Sequence, residues 1–342
     1  VSARTPAVLT LDLAEALDRL GELDFVEACS PLTGSGLLVV RLAGDPPVTS
    51  PERLEAALAG LVRLPCPTLG LLEAASPEAQ ALAERVDVRV KSVDEVEVIT
   101  GCIERSPCAA LSLVQLLRHS ETLDIEGGLM AESWVYSTLQ AGPEFQGWLK
   151  SRSTTQAPPA NPEPAVLMHR EGNTLQLRLN RPEKHNAFSA EMRDGLCEGL
   201  QLVLRDDSIK AVILSGAGHS FSSGGDLDEF GSLPDPATAH VIRSTRNVAR
   251  LLAACGDRVR AEVHGACVGA GIELPAFVSR VVAKPDSWFQ LPEVQMGLVP
   301  GAGGTVSLPR RIGRQRTAWL ALSGERLDAQ RALDWGLIDE LR

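Results

Sequence analysis

Apolar and polar residues alternate through Thr174-Leu-Gln-Leu-Arg-Leu-Asn180, which predicts a strand with one buried face. Behind Ser189, a candidate N-cap, Met192, Leu196 and Leu200 recur at helical spacing and predict a helix over about 189–205. An apolar run at Ala211-Val-Ile-Leu214, a helical pattern near 236–254 and strands near 259–264 and 279–283 follow. Closer to the amino terminus, Leu37–Leu42, Thr68–Leu72 and Val86–Val90 read as strands, and two helical patterns lie near 107–119 and 127–140. Strands alternating with helices predict an α/β chain built from repeated ββα-like units. Between the two patterned regions, Ser151–Pro164 carries four prolines in fourteen residues and reads as a semi-extended linker. The division expected is 1–150, a linker over 151–165, and 166–342.

Composition narrows the function classes. The 342 residues are 44% apolar and 23% charged, ordinary values for a globular chain. No apolar run is long enough for a membrane span, and the amino terminus lacks the pattern of a secretory signal, so a soluble cytoplasmic protein is expected. Seven cysteines form no CxxC, and six histidines have no partner at metal-ligand spacing, so neither disulfides nor a metal are expected. A net charge of −11 argues against nucleic acid. That charge is uneven: residues 1–155 hold 22 acidic against 12 basic residues, −10, and residues 156–342 hold 22 against 21, −1. An anionic ligand is better tolerated by the second part.

Three glycine-rich stretches lie there: Phe221-Ser-Ser-Gly-Gly-Asp-Leu227, Gly265-Ala-Cys-Val-Gly-Ala-Gly-Ile-Glu273 and Pro300-Gly-Ala-Gly-Gly-Thr305. None fits a dinucleotide fingerprint or a P-loop. Each permits close backbone approach. Two glutamates accompany them: Glu273 at an apparent helix start, and Glu293 in Trp288-Phe-Gln-Leu-Pro-Glu-Val294. Carboxyl groups beside exposed backbone donors can move protons next to a developing oxyanion.

In their order these residues resemble the crotonase (enoyl-CoA hydratase/isomerase) superfamily from about Val166 to Leu341. The resemblance rests on Arg181-Pro-Glu-Lys-His-Asn-Ala187, Phe221–Asp226, Gly265–Glu273, Gln290–Gly304 and Ala332–Glu340. It implies a ββα superhelix that binds an acyl-CoA thioester, with coenzyme A as part of the substrate and no separate cofactor. The thioester oxygen would be held by the N–H groups of Gly225 and Ala270. Glu273 would activate water and Glu293 would protonate Cα, an enoyl-CoA hydratase-like lyase reaction. Double-bond isomerisation or other thioester chemistry is the first alternative, and a non-catalytic acyl-CoA-binding scaffold the second. Ala270 stands where the family usually has glycine. Ser222, Ser223, Asp226 and Leu227 match positions along the coenzyme A path, with an ordinary loop equally open for the serines. Gly301 and Phe230 are further substrate-binding candidates, and the acyl pocket is expected around Leu227, Phe230 and Val241. A homo-oligomer, trimer or hexamer, is the implied assembly.

The amino-terminal part adds a second resemblance. Ile99–Leu117, Ile125–Glu132 and Gly142–Leu149 look like the carboxy-terminal helical tail of a crotonase, which the second part lacks. Upstream, Leu64–Ala74 resembles the strand before the second oxyanion loop, but Ala75-Ser-Pro-Glu-Ala-Gln80 replaces its glycines. The implied reading is a degenerate crotonase-like domain followed by a displaced tail, in which Trp148, Lys150 and Arg152 match residues that close a coenzyme A site. Its helices would cover the apolar face of the second part, in the same chain or in a neighbouring subunit.

Overall fold

The computed structural model describes residues 8–43, 49–71, 76–152, 162–232 and 235–342. The first 71 residues already hold β1 (Val8–Leu11), α1 (Leu13–Arg19), α2 (Phe25–Ala28), β2 (Leu37–Arg41), α3 (Pro51–Arg63) and β3 (Thr68–Leu71). Next come α4 (Pro77–Arg85), β4 (Val88–Val90), and four consecutive helices, α5 (Val93–Arg105), α6 (Pro107–His119), α7 (Ile125–Ala141) and α8 (Pro143–Ser151). The four strands form one parallel sheet in sequence order, β1-β2-β3-β4. Short hydroxyl and carboxylate side chains set the helix starts: Ser50, Ser76, Ser92 and Asp124 each accept a backbone N–H from the first turn that follows. Leu72 to Ala75, and most of the proline-rich linker, lie outside the described residues.

The second part opens with the antiparallel hairpin of β5 (Val166–Glu171) and β6 (Thr174–Leu179), turned at Gly172 with φ +58°. Then follow α9 (Ala190–Arg205), β7 (Ala211–Gly216), α10 (Pro236–Thr245), α11 (Val248–Cys255), β8 (Val259–Val263), β9 (Ala266–Val268), α12 (Ala270–Glu273), β10 (Arg280–Ala283) and β11 (Trp288–Gln290). The chain closes with α13 (Gly304–Ile312), α14 (Arg314–Ser323), β12 (Leu327–Asp328), α15 (Ala329–Trp335) and β13 (Glu340–Leu341). Six strands make the main sheet, in the order β13-β10-β8-β7-β6-β5, and β12-β11-β9 make a small second one. The single helix expected over 236–254 is two, because Asn247 leaves helical geometry and its side chain caps a new start by accepting the Arg250 N–H.

One continuous apolar core runs through both parts, from Leu69, Leu113 and Leu129 to Leu196, Val263 and Leu320. Helices α5 to α8 therefore lie on the second part within this chain. Close approach is built into the contact, since a Cβ on Gly128 of α7 would stand 2.9 Å from Val306 of α13. Polar bonds join the two parts as well: the guanidinium of Arg314, on α14, donates to the carbonyls of Glu84, Arg85 and Val86 at the end of α4. Among the described residues, no helix is long and apolar enough to cross a membrane.

Candidate active site

The first glycine loop follows β7 and runs beside Phe188. The Phe188 N–H donates to the Gly224 carbonyl at 2.7 Å, and the Asp226 N–H donates to the Phe188 carbonyl at 3.1 Å. In this parallel bridge the intervening residue, Gly225, turns its own N–H the other way, and among the described residues that N–H meets no acceptor. The second loop leaves β9 through Gly269, whose φ of +49° suits glycine. Its N–H donates to the Gln290 carbonyl at 2.9 Å. Ala270 then begins a four-residue helix, so its N–H is one of the unpaired donors that every helix start leaves. Pro275 causes no disruption, since α12 has already ended and a single 3-10 turn takes over. The two loops touch: a Cβ on Gly271 would stand 2.6 Å from the Ser222 carbonyl oxygen.

Glu273, at the end of α12, is buried, and its Oε2 accepts the N–H groups of Ala302 and Gly304, each at 2.8 Å. Burial, then the neighbouring Glu293 and Glu132, push its carboxyl up from the ordinary range, while the two N–H donors pull it back. Glu293 sits on the turn after β11, opposite Glu273 across Gly269. A Cβ on Gly269 would stand 3.7 Å from Glu273 Oε1 and would collide with Glu293 Oε1. Glu293 Oε2 is buried with no hydrogen-bond partner among the described residues. Burial raises the Glu293 carboxyl to about 8, with Glu132 adding to it. Burial thus pushes both carboxyls up, and the environments differ in their donors: Glu273 Oε2 receives two backbone N–H groups, whereas Glu293 Oε2 receives none among the described residues.

A third carboxyl group enters from α7. Glu132 is buried; its Oε1 accepts the Gly303 N–H at 2.7 Å, and its Oε2 accepts the Thr305 N–H at 2.9 Å and the Thr305 hydroxyl at 2.7 Å. Four consecutive amides of the third glycine loop thus alternate between two glutamates, Ala302 and Gly304 to Glu273, Gly303 and Thr305 to Glu132. Burial lifts the Glu132 carboxyl to about 7, against the pull of the Thr305 and Gly303 donors.

These groups surround a cavity of about 210 Å³. Gly225, Asp226, Phe230, Ala270, Glu273, Glu293 and Gly301 all line it, so seven of the candidate residues share one wall. The Asp226 carboxylate itself is occupied with Lys184 Nζ at 3.0 Å and the Asp228 N–H at 3.0 Å. The other candidates lie apart. Ser222 is buried and its hydroxyl donates to the Asn186 carbonyl, so it ties loops together. Ser223 points to the Lys184 carbonyl at 3.4 Å. Leu227 and Val241, expected in the acyl pocket, are 38% and 61% exposed and do not line the cavity. Helix α10 turns Val241 outward because the buried face of that helix is set by Ala239 and by Arg243, which reach α7. Trp148 stacks on Phe145 at 5.8 Å and lies 6.0 Å from Phe230, beneath the first loop. Arg152 covers the Trp148 ring and donates to the Leu227 carbonyl, whereas Lys150 is exposed.

Several residues escaped the sequence reading or were read only as tail: Glu132, which reaches the site through its loop, and Tyr136, Gln140, Phe188, Arg193, Glu229 and Arg243 on the wall itself. A glutamate on the inward face of α7, four positions before a tyrosine, is the signal that could have found the first two.

A family model described as enoyl-CoA hydratase/isomerase matches residues 169–342. The chain is 39% identical over 178 residues to the 1,2-epoxyphenylacetyl-CoA isomerase of Escherichia coli K12, covering 51% of this chain and 68% of that one. It is 34% identical over 176 residues to the 2,3-dehydroadipyl-CoA hydratase of the same organism, covering 52% and 68%. An enoyl-CoA hydratase crystal structure from Thermoplasma volcanium GSS1 aligns with 34% identity and a TM-score of 0.49 over 53% of this chain and 72% of that one.

Proposed function

The chain belongs to the enoyl-CoA hydratase/isomerase (crotonase) family, and on that premise we propose that it adds water across the double bond of an α,β-unsaturated acyl-CoA thioester. The observation that carries hydration is the unlike pair of carboxyl groups, Glu273 with two N–H donors on Oε2 and Glu293 with its Oε2 unpartnered among the described residues, facing each other across Gly269. The thioester oxygen is placed at the unpaired N–H groups of Gly225 and Ala270. Glu273, as carboxylate, takes a proton from water as its oxygen bonds to Cβ. Electrons shift to the thioester oxygen as an enolate, stabilised by the two donors. Glu293 gives its proton to Cα as the enolate collapses, and proton exchange with solvent resets the pair. Isomerisation needs only one proton carrier, so retention of both groups favours hydration. The two Escherichia coli relatives are an isomerase and a hydratase.

The amino-terminal part is, in this proposal, a second crotonase-like copy that keeps the sheet and the tail and has lost the site. Its support is the sequential parallel order β1-β2-β3-β4, matching β6-β7-β8-β10, with Ser76 and Pro77 starting a helix where the second copy has Gly269. The test of the catalytic reading is turnover of crotonyl-CoA, a longer enoyl-CoA and an aromatic enoyl-CoA, followed by loss of ultraviolet conjugation and product mass. A water adduct absent with Glu293→Gln supports hydration; a shifted double bond without mass gain overturns it in favour of isomerisation.

A further inference from the structure

The wall of the cavity contributed by α7 and α10 is polar. The Tyr136 ring lies on Gly301, where a glycine Cβ would collide with it, and Arg243 sits over that ring at 4.7 Å. Tyr136, Gln140 and Arg243 line the same cavity as Gly225, Ala270 and both glutamates, so an acyl group whose thioester is held at the two N–H donors shares the cavity with this wall. Arg243 donates to Ser133 Oγ at 3.1 Å, to the Ser133 carbonyl and Gln140 Oε1 at 3.4 Å each, and to Ser137 Oγ. None of these is a carboxylate. Glu132 acts on this half-buried guanidinium only through its charge, without an ion-pair contact among the described residues, and one of the guanidinium's terminal N–H groups remains unspent. The Tyr136 hydroxyl and the Gln140 amide nitrogen also have no partner among the described residues, and both belong to the cavity wall. Three donors with nothing to bond are poorly matched to a plain alkyl chain, which would cover them and remove their water.

Resting on the thioester reading above, we propose that the acyl group of the substrate carries an acceptor oxygen at its far end, a carboxylate or a hydroxyl, received by Arg243, Tyr136 and Gln140. Arg243 has a second task in holding α7 against α10, whereas the Tyr136 hydroxyl has none, which makes Tyr136→Phe the cleaner probe.

Calorimetric binding of hexanoyl-CoA, 6-hydroxyhexanoyl-CoA and adipyl-CoA to the full chain and to Tyr136→Phe and Arg243→Gln tests this without needing turnover. At least one oxygenated ester is expected to bind about tenfold more tightly than hexanoyl-CoA, the margin of one hydrogen bond assisted by charge. Preference for the adipyl ester identifies a carboxylate, and preference for the hydroxy ester a neutral oxygen. Tyr136→Phe should cut the margin to about threefold or less, the share of one neutral hydrogen bond. Equal or tighter binding of hexanoyl-CoA overturns the inference, as does a margin unchanged in both variants. Failure of all three esters to bind removes the thioester reading and the inference together. Oxygenated preference without hydration of the matching enoyl esters removes hydration alone.

Discussion

Two buried clusters of charge, one in each part of the chain, are built on opposite principles. In the amino-terminal part, the Asp87 carboxylate receives Arg118 through both oxygens at 2.9 and 2.6 Å, together with the N–H and hydroxyl of Thr68 at 2.8 Å each. Arg118 spends its remaining donors on the carbonyls of Val62, Leu64 and Cys66. Every atom of that cluster is used, and it fastens α6 to the sheet. Around Glu273 and Glu293, by contrast, one carboxyl oxygen and two backbone N–H groups have no partner among the described residues. Unspent hydrogen-bonding capacity in a cavity is what a reacting molecule can use, and a saturated network can only hold structure.

The sharpest break of that comparison is Glu293→Gln, which should lower kcat for hydration by about a thousandfold with the melting temperature little changed. Steady-state kinetics beside a thermal melt reads both. Glu132→Ala comes next, because Glu132 has a foot in each class: fully bonded itself, it orders the amides that hold Glu273. Removing it strands two N–H groups and a hydroxyl, with an expected stability loss of about 2–4 kcal/mol. Displacement of Glu273 should add a drop in kcat of about a hundredfold. Loss of stability with kcat intact would make Glu132 purely structural.

The pH profile sharpens the contrast further. Because burial raises Glu293 to about 8, its acid form is present below that pH and lost above it. The expected kcat/KM therefore falls by about tenfold per unit on the alkaline side, and flat behaviour to pH 10 would exclude Glu293 as the proton donor. Arg118→Met attacks the other cluster: it should cost about 3–5 kcal/mol by urea denaturation, since it takes from buried Asp87 its bidentate partner and leaves Arg314, at 3.9 Å, as the remaining cation, yet change kcat by less than about twofold. The smallest effect expected is that of Ala270→Gly, within about threefold in kcat, because the donor N–H is the backbone's in either case.

Much of this was legible along the chain. The strands at 174–179, 211–216 and 259–263 and the helices at 107–119 and 190–205 follow from periodicity and caps, since burial of one face is a local repeat. Strand β1 and helices α3 and α4 escaped the sequence reading, although Ser50-Pro51 and Ser76-Pro77 are the cap and first-turn residues that start the two helices. The glycines at 225 and 269 and the glutamates at 273 and 293 could be named because backbone approach and proton transfer demand those residue types.

What the sequence by itself determined is the set of groups able to stabilise an oxyanion and move protons, together with the order of strands that carries them. Only the tertiary structure decided that Glu132 and Tyr136, more than 130 residues from the glutamates they serve, complete the site within the same chain, and that Leu227 and Val241 do not. The physical reason is that backbone donors and acid–base groups are marked by residue type, whereas the identity of a cavity wall depends on which helix face is pressed against it. That choice is made by packing across the whole core, and no local pattern records it.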